Sequence, residues 1–466
     1  MTDFQNVDRD TPYLMPPVLQ DWLPENHLAR FVVDVVASLD LGPLYDSYSG
    51  RGSDAVDPGM LLSLLFYCYA TGTFSSRKIE KATYESIPVR FICGNRHPDH
   101  DTIADFRKRI LPRMSEYFTA ILVIAGELGF TVVGKVSVDG SKFRANASKH
   151  KAMSYDRAVE LEARIEVEVK ELLMMAELQD RDEQADLDIP KELEIREQRL
   201  NNIRRAKQVI EERAAERDRL NRAEYEQAVK ERAARETKTG KKPGGKPPAP
   251  PVEGPRAGDQ YNFTDPESRI MKEGSTGGFG QCYNAQLSVD QETMLIIGNT
   301  VSDQPNDKQQ LVPALDAIPA GIGKPKACAA DAGYFSEQNI AACAESGIEI
   351  FLATGREPHY RTLADLTARP LTMGGLSEIE LDGISAKEFM QMKTKTVEGR
   401  EIFGRRKSTV EPVYGIIKQA LGFRQFLLRG LQNVTGEWTL VATGFNLKRM
   451  FNLKCRGAPL RPAFAL

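Results

Sequence analysis

From about Tyr155 to Glu236 the chain runs almost entirely in Glu, Arg, Ala and Leu, and no sheet can absorb a segment of that length and composition. Its apolar residues recur at near-helical spacing, at Leu161, Ile165 and Leu172 and again at Leu200, Ile203 and Ile210, with an interruption around Leu187 to Pro190. Two long helices folded into a hairpin are the expected product. Positions 156–188 hold 12 acidic and 4 basic residues, whereas positions 198–236 hold 11 basic and 8 acidic, so the two arms can pair with each other. The stretch that follows, Thr237 to Gly258, is rich in Lys, Pro and Gly and too poor in apolar residues to fold, which predicts a flexible loop.

This charged segment divides a chain of 466 residues into parts of different class. Ahead of it, Thr11 to Phe130 reads as helical, with apolar residues at helical spacing in Leu28 to Leu39 and Pro58 to Ala70 and a cap signal in Asp57-Pro58. Gly134-Lys-Val-Ser-Val-Asp-Gly140 then alternates like a strand and is expected to end in a turn at Asp139-Gly140. Beyond the loop, strands are expected at Cys282 to Val289, Met294 to Val301, Lys326 to Ala330 and Ile348 to Ala353. A helix is expected at Ser336 to Ser346, and the C-terminus reads as helical after a long irregular stretch. Three successive strands followed by strands alternating with helices indicate an α/β fold with a mixed sheet. The expected domains are an α-helical one at 1–130, a core of 131–145 plus 278–466, and an inserted helical hairpin with its Pro/Gly/Lys-rich loop at 146–277.

The six cysteines include no Cys-x-x-Cys pair, which fits a reducing cytoplasm. No apolar run approaches the roughly 20 residues of a membrane helix, and the acidic N-terminus is unlike a signal peptide, so a soluble protein without a membrane partner is expected. The formal net charge of -3 sums unlike regions. Residues 401–466 carry 11 basic residues against 3 acidic, a net of +8, and clustered Lys and Arg are what phosphate contacts require.

Asp139 and Asp331 fall at the predicted ends of the first and fourth strands, where open α/β sheets place ligands, although an Asp before Gly is also an ordinary turn residue. Glu411 lies in Lys407-Ser-Thr-Val-Glu-Pro-Val-Tyr-Gly-Ile-Ile-Lys418, where Ser408 or Thr409 could cap a helix with Glu411 in its first turn. Lys418 then follows two turns later on the same face, a pattern that an ordinary salt-bridged helix would also produce.

The ordered set of strand-borne Asp139, Cys328-Ala-Ala-Asp-Ala-Gly-Tyr334, Val410-Glu-Pro-Val-Tyr-Gly-Ile-Ile-Lys418 and Gly422-Phe-Arg-Gln-Phe-Leu-Leu-Arg-Gly430 resembles bacterial insertion-sequence transposases of the DDE class. Asp57-Pro-Gly-Met-Leu-Leu62, Tyr283-Asn-Ala-Gln286 and Asn446-Leu-Lys-Arg449 extend the resemblance over most of the chain. It implies a ribonuclease-H-like core in which Asp139, Asp331 and Glu411 are catalytic and hold two Mg²⁺ ions, with Mn²⁺ as a substitute. It further implies double-stranded DNA as partner, both terminal inverted repeats and target, a homodimer in the DNA complex, and a cytoplasmic, nucleoid-associated location. Lys418, Lys407, Arg405, Arg406, Arg424 and Arg429 are the expected DNA contacts. Relatives carry Tyr and Arg ahead of the Glu where this chain has Gly404 and Lys407. Lysine keeps the charge but loses the bidentate fork, so a DNA-binding or assembly protein without catalysis is the alternative.

Overall fold

A computed structural model of the chain describes residues 18–48, 55–130, 133–179, 189–240, 244–273, 277–355, 372–377 and 384–457. It divides into two compact units, Met1–Ala145 with Cys282–Leu466, and Asn146–Gln281.

Among the described residues of the first unit seven α-helices come first: α1 (Leu28–Ala37), α2 (Gly42–Asp46), α3 (Pro58–Thr71), α4 (Ser76–Glu85), α5 (Ile87–Ile92), α6 (His100–Ile110) and α7 (Met114–Glu127). α3 begins where Asp57 accepts the Met60 amide at 2.6 Å with Pro58 in the first turn, and it stops at Gly72, whose φ of 86° only glycine adopts freely. Every residue from Leu61 to Ala70 is buried, so α3 has no solvent face and must be wrapped by other helices. α1, α5 and α6 supply part of the wrapping, and the long C-terminal helix Leu431–Cys455 supplies the rest. A Cβ on Gly444 would stand 2.9 Å from the backbone of Tyr69 and Ala70, so the absence of a side chain there lets the two helix backbones meet. The same C-terminal helix lies on the strand Ile296–Ser302 and on α7, and through it the N-terminal helices and the sheet share one core.

The strands are β1 (Lys135–Arg144), β2 (Ala152–Ser154), β3 (Gln260–Asn262), β4 (Arg269–Lys272), β5 (Phe279–Asp290), β6 (Ile296–Ser302), β7 (Ala327–Ala330) and β8 (Glu349–Leu352). In the first unit the order is β6-β5-β1-β7-β8. β5 runs antiparallel to both its neighbours, β6 and β1, while β7 and β8 run parallel to β1. This mixed sheet agrees with the α/β expectation. β1 does not turn at Asp139-Gly140, however: it continues to Arg144, with Gly140 paired to Gln286. Glycine is needed there for room, because a Cβ would lie 2.4 Å from Gln286 Nε2 and 2.7 Å from Asp307 Oδ1.

In the second unit α8 (Tyr155–Gln179) and α9 (Ile189–Thr239) pack antiparallel. Ala158, Leu161 and Ile165 bury against Leu200 and Ile203, and the opposite charges of the two arms meet in the pairs Arg196–Glu168, Arg204–Glu162 and Lys207–Glu162 at 3.1, 3.1 and 3.0 Å. The expected interruption at Leu187 to Pro190 falls partly outside the described residues, and α9 begins at Ile189. The stretch expected as a flexible loop is tied back along α9. Arg217 donates to the Gly254 carbonyl at 2.9 Å, Asp218 accepts the Gly254 amide at 2.6 Å, and Arg232 donates to the Gly245 carbonyl at 3.0 Å. Arginines spaced along one helix thus supply the contacts that the stretch, poor in apolar residues, could not make by burial.

Candidate active site

Parallel pairing of β1 with β7 puts Ser137 opposite Ala329. Two residues further along each strand, Asp139 and Asp331 come level, Asp331 directly after β7 and Asp139 within β1. Asp331 accepts the Gly333 amide at 2.8 Å, which fixes its carboxylate at the mouth of a tight turn. Burial, and after it the negative charge of Asp331, push the Asp139 carboxyl up to about 7, with Arg406 opposing the rise.

Glu411 arrives on the helix Val397–Gly415, which starts at a Thr396 cap whose hydroxyl accepts the Gly399 amide at 3.0 Å. The start expected at Ser408 or Thr409 is therefore corrected: both lie inside the helix and Glu411 is near its C-terminal end. Thr409 hydrogen-bonds Ser137 of β1 at 2.8 Å, and Ile402 packs on Ala327, Ala329 and Phe351, which clamps this helix across β1, β7 and β8.

Arg406, buried with its side chain 10% exposed, lies between the acids: its guanidinium reaches Asp139 Oδ2 at 3.2 Å and Glu411 Oε1 at 3.5 Å. Its neighbours Arg405 and Lys407 are exposed, as are Arg424 and Arg429. Lys418 sits in a π-helical turn, Ile416–Ala420, with its ammonium on β1, 2.6 Å from Ser141 Oγ and 2.8 Å from the Lys142 carbonyl.

Tyr283-Asn-Ala-Gln286 and Asp303-Gln-Pro-Asn-Asp307 also enter the site, through Asn284, Gln286 and Asp307. Asp307 accepts from Asn284 Nδ2 at 2.6 Å, from Gln286 Nε2 at 2.8 Å and from Lys142 Nζ at 3.5 Å, and its charge also acts on Asp139. The available signal was the i, i+2 placement of Asn284 and Gln286 on one face of a strand that is buried from Gln281 to Asp290, where polar side chains need partners. Tyr414 donates to the carbonyls of Asp139 and Ala285, 2.8 Å each, which locks β1 against β5 at the level of the acids.

Among the described residues no three acids, histidines or cysteines group tightly enough to hold a metal ion. Asp139 and Asp331 come together, and Glu411 joins them through Arg406. The donor chemistry still fits a divalent cation, since crowded hard oxygens with unbalanced negative charge are what Mg²⁺ selects, and Asn284 Oδ1 is buried without a partner among the described residues.

Two family profiles match the chain: a transposase domain (DUF772) over residues 17–109, and a transposase DDE domain over residues 377–451, which contains Glu411 and every expected DNA contact. The chain is related to insertion-sequence transposases of the DDE class. No curated protein and no solved structure matches it. In this transposase relative the first profile covers the helices wrapped on α3, and the second covers the Glu411 helix together with most of the C-terminal helix. No helix among the described residues is long and apolar enough to cross a membrane.

The raised Asp139 pKa has a testable consequence for the metal-free protein. A carboxyl held at about 7 when folded, against the ordinary value of 3.8, binds protons in the native state that the unfolded chain has already released. Stability should therefore fall as pH rises from about 4 to about 7 and level off above, because the unfolded state binds fewer protons through that window. Urea midpoints across this range should slope downward in the parent and less steeply in Asp139→Asn. Identical slopes would contradict the assignment.

Proposed function

We propose that the chain is a catalytically active DNA transposase that cuts the ends of an insertion sequence and joins the freed 3'-hydroxyls to target DNA. In this reading Asp139, Asp331 and Glu411 are the catalytic acids and the sheet is a ribonuclease-H-like core. The observation that carries it is the closeness of Asp139, in β1, to Asp331, directly after the parallel strand β7, whose charge acts on the Asp139 carboxyl. Three antiparallel strands flanked by two parallel ones, with a glutamate helix laid across them, support it further. Two Mg²⁺ ions, or Mn²⁺, would supply activation of the attacking oxygen and stabilisation of the leaving oxygen in an in-line phosphodiester displacement. Asp139 and Asp331 would hold them from the strands and Glu411 from the helix.

The chain's own groups have further tasks in this reading. Arg406 orients the Asp139 and Glu411 carboxylates. Asp307, with Asn284, Gln286 and Lys142, keeps the face of β1 beside Gly140 rigid. The exposed Arg405, Lys407, Arg424 and Arg429 take phosphates of the DNA backbone, and Lys418, held on β1, supports them from behind. The N-terminal helices would bind the terminal repeats, with two copies acting on two ends.

The second reading, a DNA-binding relative that no longer cuts, draws on Lys407 and Gly404 and on the separation of Glu411 from the aspartates by Arg406. A duplex carrying the terminal repeat decides between them. Mg²⁺-dependent nicking by the unmodified protein is expected. Repeat-specific binding with no nicking in Mg²⁺ or Mn²⁺ would favour the second reading.

A further inference from the structure

Asp307 spends only one of its two carboxylate oxygens on the fold. It lies in the loop after β6, ahead of the helix Leu311–Asp316. Its Oδ1 accepts from Asn284 Nδ2 at 2.6 Å, from Gln286 Nε2 at 2.8 Å and, more loosely, from Lys142 Nζ at 3.5 Å. Asn284 and Gln286 are fully buried, and buried Tyr334 donates to Gln286 Oε1. Asn284 turns its Nδ2 to Asp307 while its own Oδ1 stays buried without a partner among the described residues, an unfavourable arrangement for a contact that only joins a loop to a strand. Asp307 Oδ2 accepts no hydrogen bond from the described residues, and the side chain is 24% exposed.

Two glycines show where the spare oxygen lies. A Cβ on Gly140, the residue after Asp139, would stand 2.7 Å from Asp307 Oδ1. A Cβ on Gly333 would stand 3.8 Å from Asp307 Oδ2 and 3.1 Å from Asp331 Oδ1. The room that Gly333 leaves for want of a side chain is therefore bordered by oxygens of both aspartates. Anchoring the loop accounts for Oδ1 and leaves Oδ2 without a task. A neutral acceptor in this place would serve Asn284 and Gln286 as well, whereas another carboxylate beside Asp139 and Asp331 adds like-charge repulsion. Arg406 meanwhile takes up part of the charge of Asp139 and Glu411, so three acids make a meagre set for two divalent cations.

We propose that Asp307 is a fourth acid of the site, whose Oδ2 holds one of the divalent cations together with Asp331. Asn284 and Gln286 are then positioning residues that act through Asp307, since their grip on Oδ1 sets the aim of Oδ2. The inference rests on the cation binding of the proposed function and gives that site a ligand beyond Asp139, Asp331 and Glu411.

The test uses the full chain without DNA. Calorimetric titration with Mn²⁺ should show binding to the parent that Asp307→Asn weakens about a hundredfold and Asp139→Asn abolishes. Asparagine keeps an acceptor for Asn284 and Gln286, so the urea midpoint of Asp307→Asn in EDTA should match that of the parent. A loss under about tenfold, which removal of one charge several Å away across water produces without coordination, would overturn the inference and leave the metal site of the proposed function in place. A parent that binds no Mn²⁺, or binds it no better than Asp139→Asn, would remove both. If Asp307→Asn fails to fold, the unmodified protein decides. Fe²⁺ bound at the site and treated with ascorbate and peroxide should cut the backbone beside Asp307 as well as beside Asp139 and Asp331, and cuts at the latter two alone would overturn the fourth ligand.

Discussion

Asp139→Ala and Asp331→Ala should each slow Mg²⁺-dependent nicking of a terminal-repeat duplex by about a thousandfold, with duplex binding changed no more than a few fold. The rate loss follows from what the two carboxylates supply. They are the pair that parallel β1–β7 register brings level, and removing either leaves one hard donor group where a divalent cation needs several. A loss of several kcal/mol in transition-state stabilisation corresponds to that factor at about 1.36 kcal/mol per decade. The contacts proposed for DNA lie elsewhere, on Arg405, Lys407, Arg424 and Arg429, so affinity should survive. A second readout separates the loss of chemistry from a damaged fold. The Asp139 carboxyl is pushed up by burial and by Asp331, so its ionised form is destabilising, and the alanine variants should unfold at pH 8 no earlier than the parent. Nicking at the parental rate by both variants would remove the active-site assignment.

Glu437→Leu should lower the stability of the first unit by about 3 to 5 kcal/mol, the cost typical of breaking a buried charged network by removing one partner. Glu437 is fully buried in the C-terminal helix, and burial pushes its carboxyl up despite the donors around it. It accepts the amides of Leu427 and Leu428 at 2.9 and 3.1 Å and the Tyr69 hydroxyl at 3.5 Å. Tyr69 in turn meets buried Arg107 at 3.3 Å, and Arg107 also donates to the Phe74 carbonyl at 2.9 Å. Leucine matches the volume but leaves two amides without an acceptor and Arg107 without a nearby negative charge. Glu437→Gln, which keeps an acceptor, should lose less. Urea denaturation gives both values, and a leucine variant as stable as the parent would show that the network contributes nothing net.

The network also marks where sequence reading stopped. The strands were legible because alternation and apolar runs report burial directly: the segments expected at 282–289, 294–301, 326–330 and 348–353 each fall on or overlap β5 to β8. The α8–α9 pairing was legible from composition and charge. Asp139 was placed on the right element but at the wrong point of it, since Asp-Gly signals a turn locally while Gly140 is there to admit Gln286 and Asp307 from other parts of the chain. The Glu411 helix was started too late because Ser408-Thr409 ahead of Pro412 imitates a cap. Burial of Val410, Val413 and Tyr414 outweighs the helix cost of the proline. Glu437 counted as one more acid in a basic tail, and only tertiary contact shows that it faces Tyr69 rather than solvent. Asp307, Asn284 and Gln286 were missed for the same reason, since each acquires its role from another part of the chain, and Arg406, expected as a DNA contact, is turned onto Asp139 and Glu411.

The wrapping of α3 by the C-terminal helix bears on how the protein is made. α3 leaves the ribosome early, hydrophobic on every side; α1, α5 and α6 cover part of it, but the rest of its cover, residues 431–455, follows about 360 residues later. At roughly 5 to 20 residues per second this helix waits on the order of 20 to 70 seconds before its burial can be completed. During that interval it is a ready client for chaperones, and a chain truncated before residue 431 would leave one side of it uncovered.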